Sequence, residues 1–323
     1  MTENYNNKKQ ISIFFACDNN YAPILAVALT SLIENAIADN LYLVNILCGS
    51  DNEKLKELTK MSTNKVLINI YDVSDKISAI SDILDNVRDY YTQTIFYRIF
   101  IASCFPQYDK AIYLDSDIVV LNDLEKFYDI DLGNNIFGAI VDDIVSHNED
   151  FKVYTKEAVG VDADHYFNSG VLLMNLKAFR YNQIEEKFIN TLVTYDFDVV
   201  ASDQDYLNYL CKGKIKYLDK SWDLMPVEEE YNGEINLIHY NMFLKPWHYD
   251  IKYDNYFWQY AKKTKYYQML KECKENYDES KKKEDYEGVS RMVKLAYDII
   301  NSKYNFACTL MKKENKDEWS SFK

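Results

Sequence analysis

The sequence predicts an α/β fold: a mostly parallel central sheet flanked by helices, followed by a helical C-terminal extension. Three observations carry this reading. Short apolar runs alternate with helical stretches from residue 11 onward, polar clusters follow two of those runs, and the character of the chain changes after residue 260.

The first run, Ile11 to Ala16, ends at Cys17-Asp18-Asn19-Asn20 and reads as a buried strand feeding a loop. Pro23 then opens a helical stretch to about Asn35, since its missing N–H is harmless in a first turn. Leu41 to Cys48 predicts a second strand, Asn52 to Met61 a helix, and Val66 to Tyr71 a third strand. Gln93 to Cys104 reads as another helix and Lys110 to Leu114 as a fourth strand, which runs into Asp115-Ser116-Asp117. In open sheets of this kind the ligand crevice lies beyond the carboxyl ends of the strands, where both polar clusters fall.

Beyond residue 260 a charged stretch, Lys262 to Asp285, precedes a periodic segment. Val289, Met292, Val293, Ala296, Ile299 and Ile300 recur at helical spacing and predict an amphipathic helix. It has three readings: packing on the body, contact in a homo-oligomer, or peripheral contact with a membrane surface. The expected division is a catalytic domain over 1–260 and a charged helical extension over 261–323. Because the informative motifs precede residue 260, a chain cut there is expected to fold.

The formal charge of −14 is unevenly placed: residues 1–260 hold 22 basic and 40 acidic side chains, residues 261–323 hold 15 and 11. An acidic body argues against nucleic acid as a partner, and a basic tail suits an anionic surface. The six cysteines are scattered without a Cys-x-x-Cys pair, a pattern of free thiols in a reducing compartment. Met1 to Gln10 is polar and Ile11 to Ala16 is far too short to span a bilayer. The expected location is cytoplasmic, with the inner face of the cell membrane as a peripheral site.

Asp115 and Asp117 place two like charges together at a strand end, and a divalent cation is a direct way to offset their repulsion. His239 closes another strand-like run, Ile235 to Ile238, and would complete a mixed nitrogen and oxygen donor set. Such a set suits Mn2+ better than Mg2+, which stays as the alternative ion. Lys245, six residues on, would add positive charge for a diphosphate. Asp115-Ser116-Asp117 after a hydrophobic strand also resembles the first motif of haloacid dehalogenase-like phosphatases, where the first Asp is a nucleophile. That motif normally ends the first strand of its fold, whereas several units precede it here, and Asp142-Asp143 follows too soon to be that family's later acidic pair.

Six segments in order carry a stronger resemblance. They are Phe15 to Tyr21, Tyr97-Arg98, Tyr113 to Asp117, Phe167 to Val171, Asp203-Gln204-Asp205, and His239-Tyr240 through Lys245-Pro246-Trp247. Over residues 11 to 250 the chain resembles glycosyltransferase family 8, which includes bacterial lipooligosaccharide galactosyltransferases and glycogenin.

The resemblance implies a GT-A type nucleotide-sugar fold and a retaining transfer of hexose from a UDP-sugar to a saccharide or glycosylated acceptor. It places Ala16, Asp18, Asn20, Tyr21, Ser116 and Lys245 at the nucleotide and Asp115, Asp117 and His239 at the metal. Arg98, Asn168, Asp203 and Gln204 would surround the donor sugar, with Gln204 and Asp203 as the catalytic pair and Asp142 near the acceptor. Where the family usually has glycine, three residues after the metal histidine, this chain has Met242. Two other readings stand beside the transferase: a metal-dependent phosphatase or nucleotidyltransferase, and a catalytically idle nucleotide-sugar-binding protein.

Overall fold

The first apolar run becomes β1, Lys9–Ala16, which pairs in parallel with β2, Asn40–Cys48, on one side and β4, Lys110–Leu114, on the other. The computed structural model describes residues 8–37, 39–78, 93–227 and 231–311, so most of the polar N-terminal stretch lies outside the described residues. β3, Val66–Asp72, lies parallel to β2 at the sheet edge. Ile11 to Phe15 are buried on both sides of the sheet, as a parallel strand covered by helices on each face requires.

The remaining strands are β5, Ile118–Val120; β6, Phe137–Val141; β7, Phe167–Asn175; β8, Ile215–Tyr217; and β9, Leu237–His239. The main sheet has the order β3-β2-β1-β4-β7-β6-β8, and β5 with β9 makes a separate two-stranded sheet. β7 runs antiparallel to both β4 and β6. The expected parallel character therefore holds across β3-β2-β1-β4 and reverses at β7. A continuous apolar run is equally good burial in either direction, so the reversal has no signature in composition.

The helix expected from Pro23 is Ala22–Asn35. The helix expected over Asn52 to Met61 is a short α-helix, Glu53–Leu58, closed by a 3₁₀ turn, Thr59–Met61. Gln93 to Cys104 is also irregular, with 3₁₀ geometry over Gln93–Phe100 before one α turn, Ile101–Cys104. Its residues Phe96 to Phe100 are all buried, and Arg98 is carried into the interior with them.

The two faces of the sheet make separate cores. Phe14, Leu47 and Tyr113 face one, while Ile13, Phe15 and Ile46 face the other against Leu25 and Leu29 of the first helix. The extension completes the former. Its long helix, Glu279–Ser302, is capped by Asp278, whose side chain accepts from the N–H groups of Ser280 and Lys281. Ala296, Ile299 and Phe306 are buried in that core, with Met292, Val293 and Ile300 packed against it. The Phe306 ring lies 4.7 Å from Phe197, 4.8 Å from Tyr206 and 5.2 Å from Tyr209.

Apart from the exposed Val289, the predicted apolar stripe thus covers the body of its own chain, which leaves the membrane reading without those residues. Residue 260 also falls inside a third cluster that joins Tyr260, Ala261 and Leu270 to Tyr240 and Trp247. A cut after residue 260 would strip the aromatic cover of Phe306 from Phe197, Tyr206 and Tyr209. Phe306→Ala alone is expected to lower unfolding stability by about 3–5 kcal/mol. Urea denaturation checks this, and a loss below about 1 kcal/mol would show that the extension adds little to the core.

Candidate active site

Three strand ends converge on the acidic cluster. Where β4 stops, the Asp115 N–H donates to Gly170 O at 2.7 Å, fastening the end of β4 to β7. β5 starts one residue after Asp117 and pairs antiparallel with β9 in a register that sets Ile118 opposite His239. The Tyr240 N–H then donates to Asp117 O at 2.9 Å. The His239 Nε2 atom consequently sits 3.4 Å from Asp117 Oδ1 and 3.9 Å from Asp115 Oδ2. One donor atom from each of the three residues lies within 4.8 Å of the others.

Gly170 forms one wall of this cluster. A Cβ there would stand 2.4 Å from His239 Cε1 and 2.6 Å from Asp115 Oδ2, closer than any real contact, so the wall has to be bare backbone.

His239 is held from behind. Its Nδ1 lies 2.9 Å from Asp223 Oδ1, while the buried Nε2 has no hydrogen-bond partner and faces the two aspartates. An orphaned buried nitrogen beside two carboxylates, with its ring steered by a third, fits the donor set of a divalent cation. Burial alone would lower the basicity of His239, but Asp223 and Asp117 overcome it and push the ring up to about 10. Burial would raise the Asp117 carboxyl, yet Lys245 and His239 hold it well below the usual carboxylate range. Burial pushes Asp223 up to about 6, against the pull of His239. The Lys245 ammonium pairs with Asp117 Oδ2 and donates to Tyr240 O at 2.6 Å.

A second connected group adjoins the first through Arg98. Its Nη2 lies 3.0 Å from Asp115 Oδ1, its Nε 3.2 Å from Asp203 Oδ2, and Nη1 donates to Ser169 O. Nε also donates to Ile95 O at 3.0 Å, and the guanidinium lies 4.4 Å over the Tyr113 ring. With these N–H groups turned to protein, Arg98 braces the two aspartates. Asp203 and Gln204 sit in the first turn of the helix Ser202–Leu210, and their side chains diverge. Asp203 meets Arg98, whereas Gln204 Nε2 donates to Asp142 Oδ2 at 3.1 Å and Gln204 Oε1 accepts from the Ser169 N–H at 2.9 Å.

This network fixes which way the Gln204 amide points, because a flipped amide would set donor against donor and acceptor against acceptor. Asp142 Oδ2 also accepts from Asn168 Nδ2 at 3.0 Å, and its Oδ1 caps a short helix by accepting from Ile144 and Val145. Asp142 is therefore an organiser of Gln204 and Asn168.

The nucleotide candidates lie at the neighbouring end of β1. Ser116 Oγ donates to Ala16 O at 3.2 Å, joining the two polar clusters. Asp18 Oδ1 closes its turn by accepting from the N–H groups of Asn20 and Tyr21, with Asn20 exposed on the rim. The Tyr21 ring meets Trp247 edge to face, with centroids 6.1 Å apart. Met242 has φ of 49°, in the left-handed region. The backbone thus keeps the conformation that glycine adopts freely, with a side chain in its place.

Asp223 is the residue that sequence reasoning missed. It lies 16 residues before His239 in an irregular stretch joined to β9 by the isolated bridge between Leu224 and Ile238, so no periodic pattern marks it.

The sequence profile described as Glycosyl transferase family 8 matches residues 12–251. A putative glycosyltransferase of Haemophilus influenzae is 28% identical over 231 residues, covering 71% of this chain and 67% of the relative. A lipopolysaccharide 1,2-glucosyltransferase of Escherichia coli is 24% identical, covering 76% and 75%. A lipopolysaccharide 1,3-galactosyltransferase of Salmonella typhimurium is 23% identical over the same shares. In fold, the chain resembles the galactosyltransferase LgtC, solved with donor and acceptor sugar analogs, with a TM-score of 0.67 and 24% identity over 80% of this chain and 100% of that one. It likewise resembles the bifunctional glycosyltransferase WbbM, with a TM-score of 0.68 and 18% identity over 84% of this chain and 52% of that one.

Proposed function

The chain belongs to glycosyltransferase family 8 and has its GT-A fold, and we propose that it moves glucose or galactose from a UDP-sugar onto a saccharide or glycosylated acceptor in bacterial surface glycan or glycoprotein synthesis. One observation carries this reading: the orphaned His239 Nε2 facing Asp115 and Asp117, with the Lys245 ammonium alongside. The relatives named for lipopolysaccharide glucosyl and galactosyl transfer support a hexose donor. Among the described residues no helix is long and apolar enough to cross a membrane.

Asp115, Asp117 and His239 would hold Mn2+, or Mg2+ in its place, and a bound ion supplies Lewis-acid neutralisation of a departing diphosphate. Lys245 adds a fixed positive charge to the same diphosphate. Ala16, Asp18, Asn20, Tyr21 and Ser116 receive the nucleoside at the ends of β1 and β4. Asn168, Asp203 and Gln204 line the donor sugar, while Arg98 and Asp142 keep them in place.

The Gln204 carbonyl oxygen is turned to the Ser169 N–H and hydroxyl, which leaves it too weak for an obligatory nucleophile, and it steadies positive charge at the sugar's C1 through its dipole. Transfer then proceeds on one face of the sugar. The bond from C1 to the diphosphate breaks, the acceptor hydroxyl bonds to C1, and its proton passes to the departing diphosphate. The α configuration is retained.

Incubation with Mn2+ and either UDP-glucose or UDP-galactose tests the reading. UDP release with at least one donor and an α-linked first product by proton NMR are expected. A β-linked product would refute retention; UDP binding without release would point to the idle protein, and release of phosphate from simple phosphomonoesters to the phosphatase.

Asp223→Asn tests the support behind the metal ligand. The amide still accepts from His239 Nδ1 but carries no charge, so Mn2+ affinity by calorimetry is expected to fall about tenfold. An unchanged affinity would remove Asp223 from the site.

A further inference from the structure

The turn that carries Lys245 is held from outside the family-matched region. Lys245 O accepts from the N–H groups of His248 at 3.0 Å and Tyr249 at 2.9 Å, which closes residues 245–249 into one tight unit. Its last two side chains are clasped by the C-terminal extension. The His248 ring stacks on Tyr277, with centroids 3.8 Å apart and planes 9° from parallel. The Tyr249 hydroxyl donates to Asp285 Oδ2 at 2.6 Å, and the Tyr277 hydroxyl donates to the same oxygen at 2.7 Å. One carboxylate oxygen therefore ties the turn to the extension at both of its aromatic contacts.

A lysine side chain is a long flexible stem, so the place of its ammonium depends on where its backbone is anchored. Here the inner end of Lys245 is fixed by Asp117 and Tyr240 O, and the outer end by the turn. Lys274 adds a tie just beyond the turn, pairing with Asp250 at 2.7 Å and Asp254 at 3.2 Å. We propose that Asp285 is a positioning residue for Lys245: by joining Tyr249 to Tyr277 it makes the C-terminal extension part of the diphosphate-binding apparatus. This rests on the reading of Lys245 as the diphosphate cation.

The test is a double-mutant cycle on full-length protein, with UDP affinity measured by calorimetry in Mn2+. Asp285→Ala is expected to weaken UDP binding about fivefold, within the range of coupling between residues that share partners. Asp285→Asn, whose carbonyl oxygen still accepts from both hydroxyls, is expected to bind nearly as wild type. In a Lys245→Ala background, Asp285→Ala should have no further effect. Ile299→Ala, which loosens the same helix away from the turn, should lower Tm and leave UDP affinity unchanged.

Wild-type affinity in Asp285→Ala, or a fivefold penalty that persists without Lys245, would overturn the proposal. An equal loss of UDP affinity in Ile299→Ala would also overturn it, by showing general destabilisation. Unchanged affinity in Lys245→Ala itself would overturn the reading of Lys245 and the proposal with it.

Discussion

His239→Ala is expected to reduce Mn2+-dependent UDP release about a thousandfold or more at saturating donor. The neutralisation that a bound cation gives a leaving diphosphate is worth several kcal/mol, and about 4 kcal/mol is a factor of about a thousand in rate. The substitution removes the one nitrogen donor of the cluster. The fold should survive it, because Asp223, already pushed up to about 6 by burial, can take a proton once its partner is gone. Asp117→Ala should cost a similar factor, since it deprives both the cation and Lys245 of a carboxylate. Circular dichroism close to wild type, together with UDP release on the same sample, checks both variants. Retention of a tenth of the activity by either one would mean that the ion is held elsewhere.

Gly170→Ala is expected to come close to that loss while leaving every ligand in place. The added methyl would approach His239 and Asp115 at once, and neither can yield easily. His239 is buried and braced by Asp223, Asp115 is held by Arg98 and Tyr113, and Gly170 is anchored to Asp115 through the backbone. Something must shift by several tenths of an ångström, at about 1–3 kcal/mol of stability. The donor atoms are then spread apart, so Mn2+ affinity should fall by more than tenfold and turnover by about a hundredfold. Calorimetry with Mn2+ and a urea melt separate the two effects. Wild-type Mn2+ affinity would show that the cluster is loose enough to accommodate a methyl.

Asp115, Asp117 and His239 were legible because Asp115 and His239 each close an apolar run and Asp117 stands two residues after Asp115 at the start of another, and a run marks a strand whose end is a good place for a ligand. The joint order of six short segments made the family legible too. Asp223 was not, because its position depends on an irregular segment that folds back against β9. The role of Arg98 was half visible: its presence near the sugar residues could be read, but its bracing contacts to Asp115, Asp203, Ser169 and Ile95 are ones that only the tertiary arrangement reveals. Likewise the apolar stripe of the extension announced that it covers something. The long helix that carries it lies against Glu149–Tyr154 and Thr155–Val159, far away in sequence. The reversal at β7 was invisible, since Phe167 to Asn175 would be equally buried in either direction.

The 2.7 Å bond between Asp115 and Gly170 has a meaning for engineering. Between those two residues the chain leaves the site after Asp117 and comes back to it at Asp142 and again at Asn168, so the stretch from 118 to 141 is an excursion that starts and ends beside the cluster. Loop-closure cost grows only slowly with length. The outermost bend of that excursion, around the exposed Gly133, can therefore accept inserted residues, a tag or a grafted peptide with little disturbance of the donor atoms.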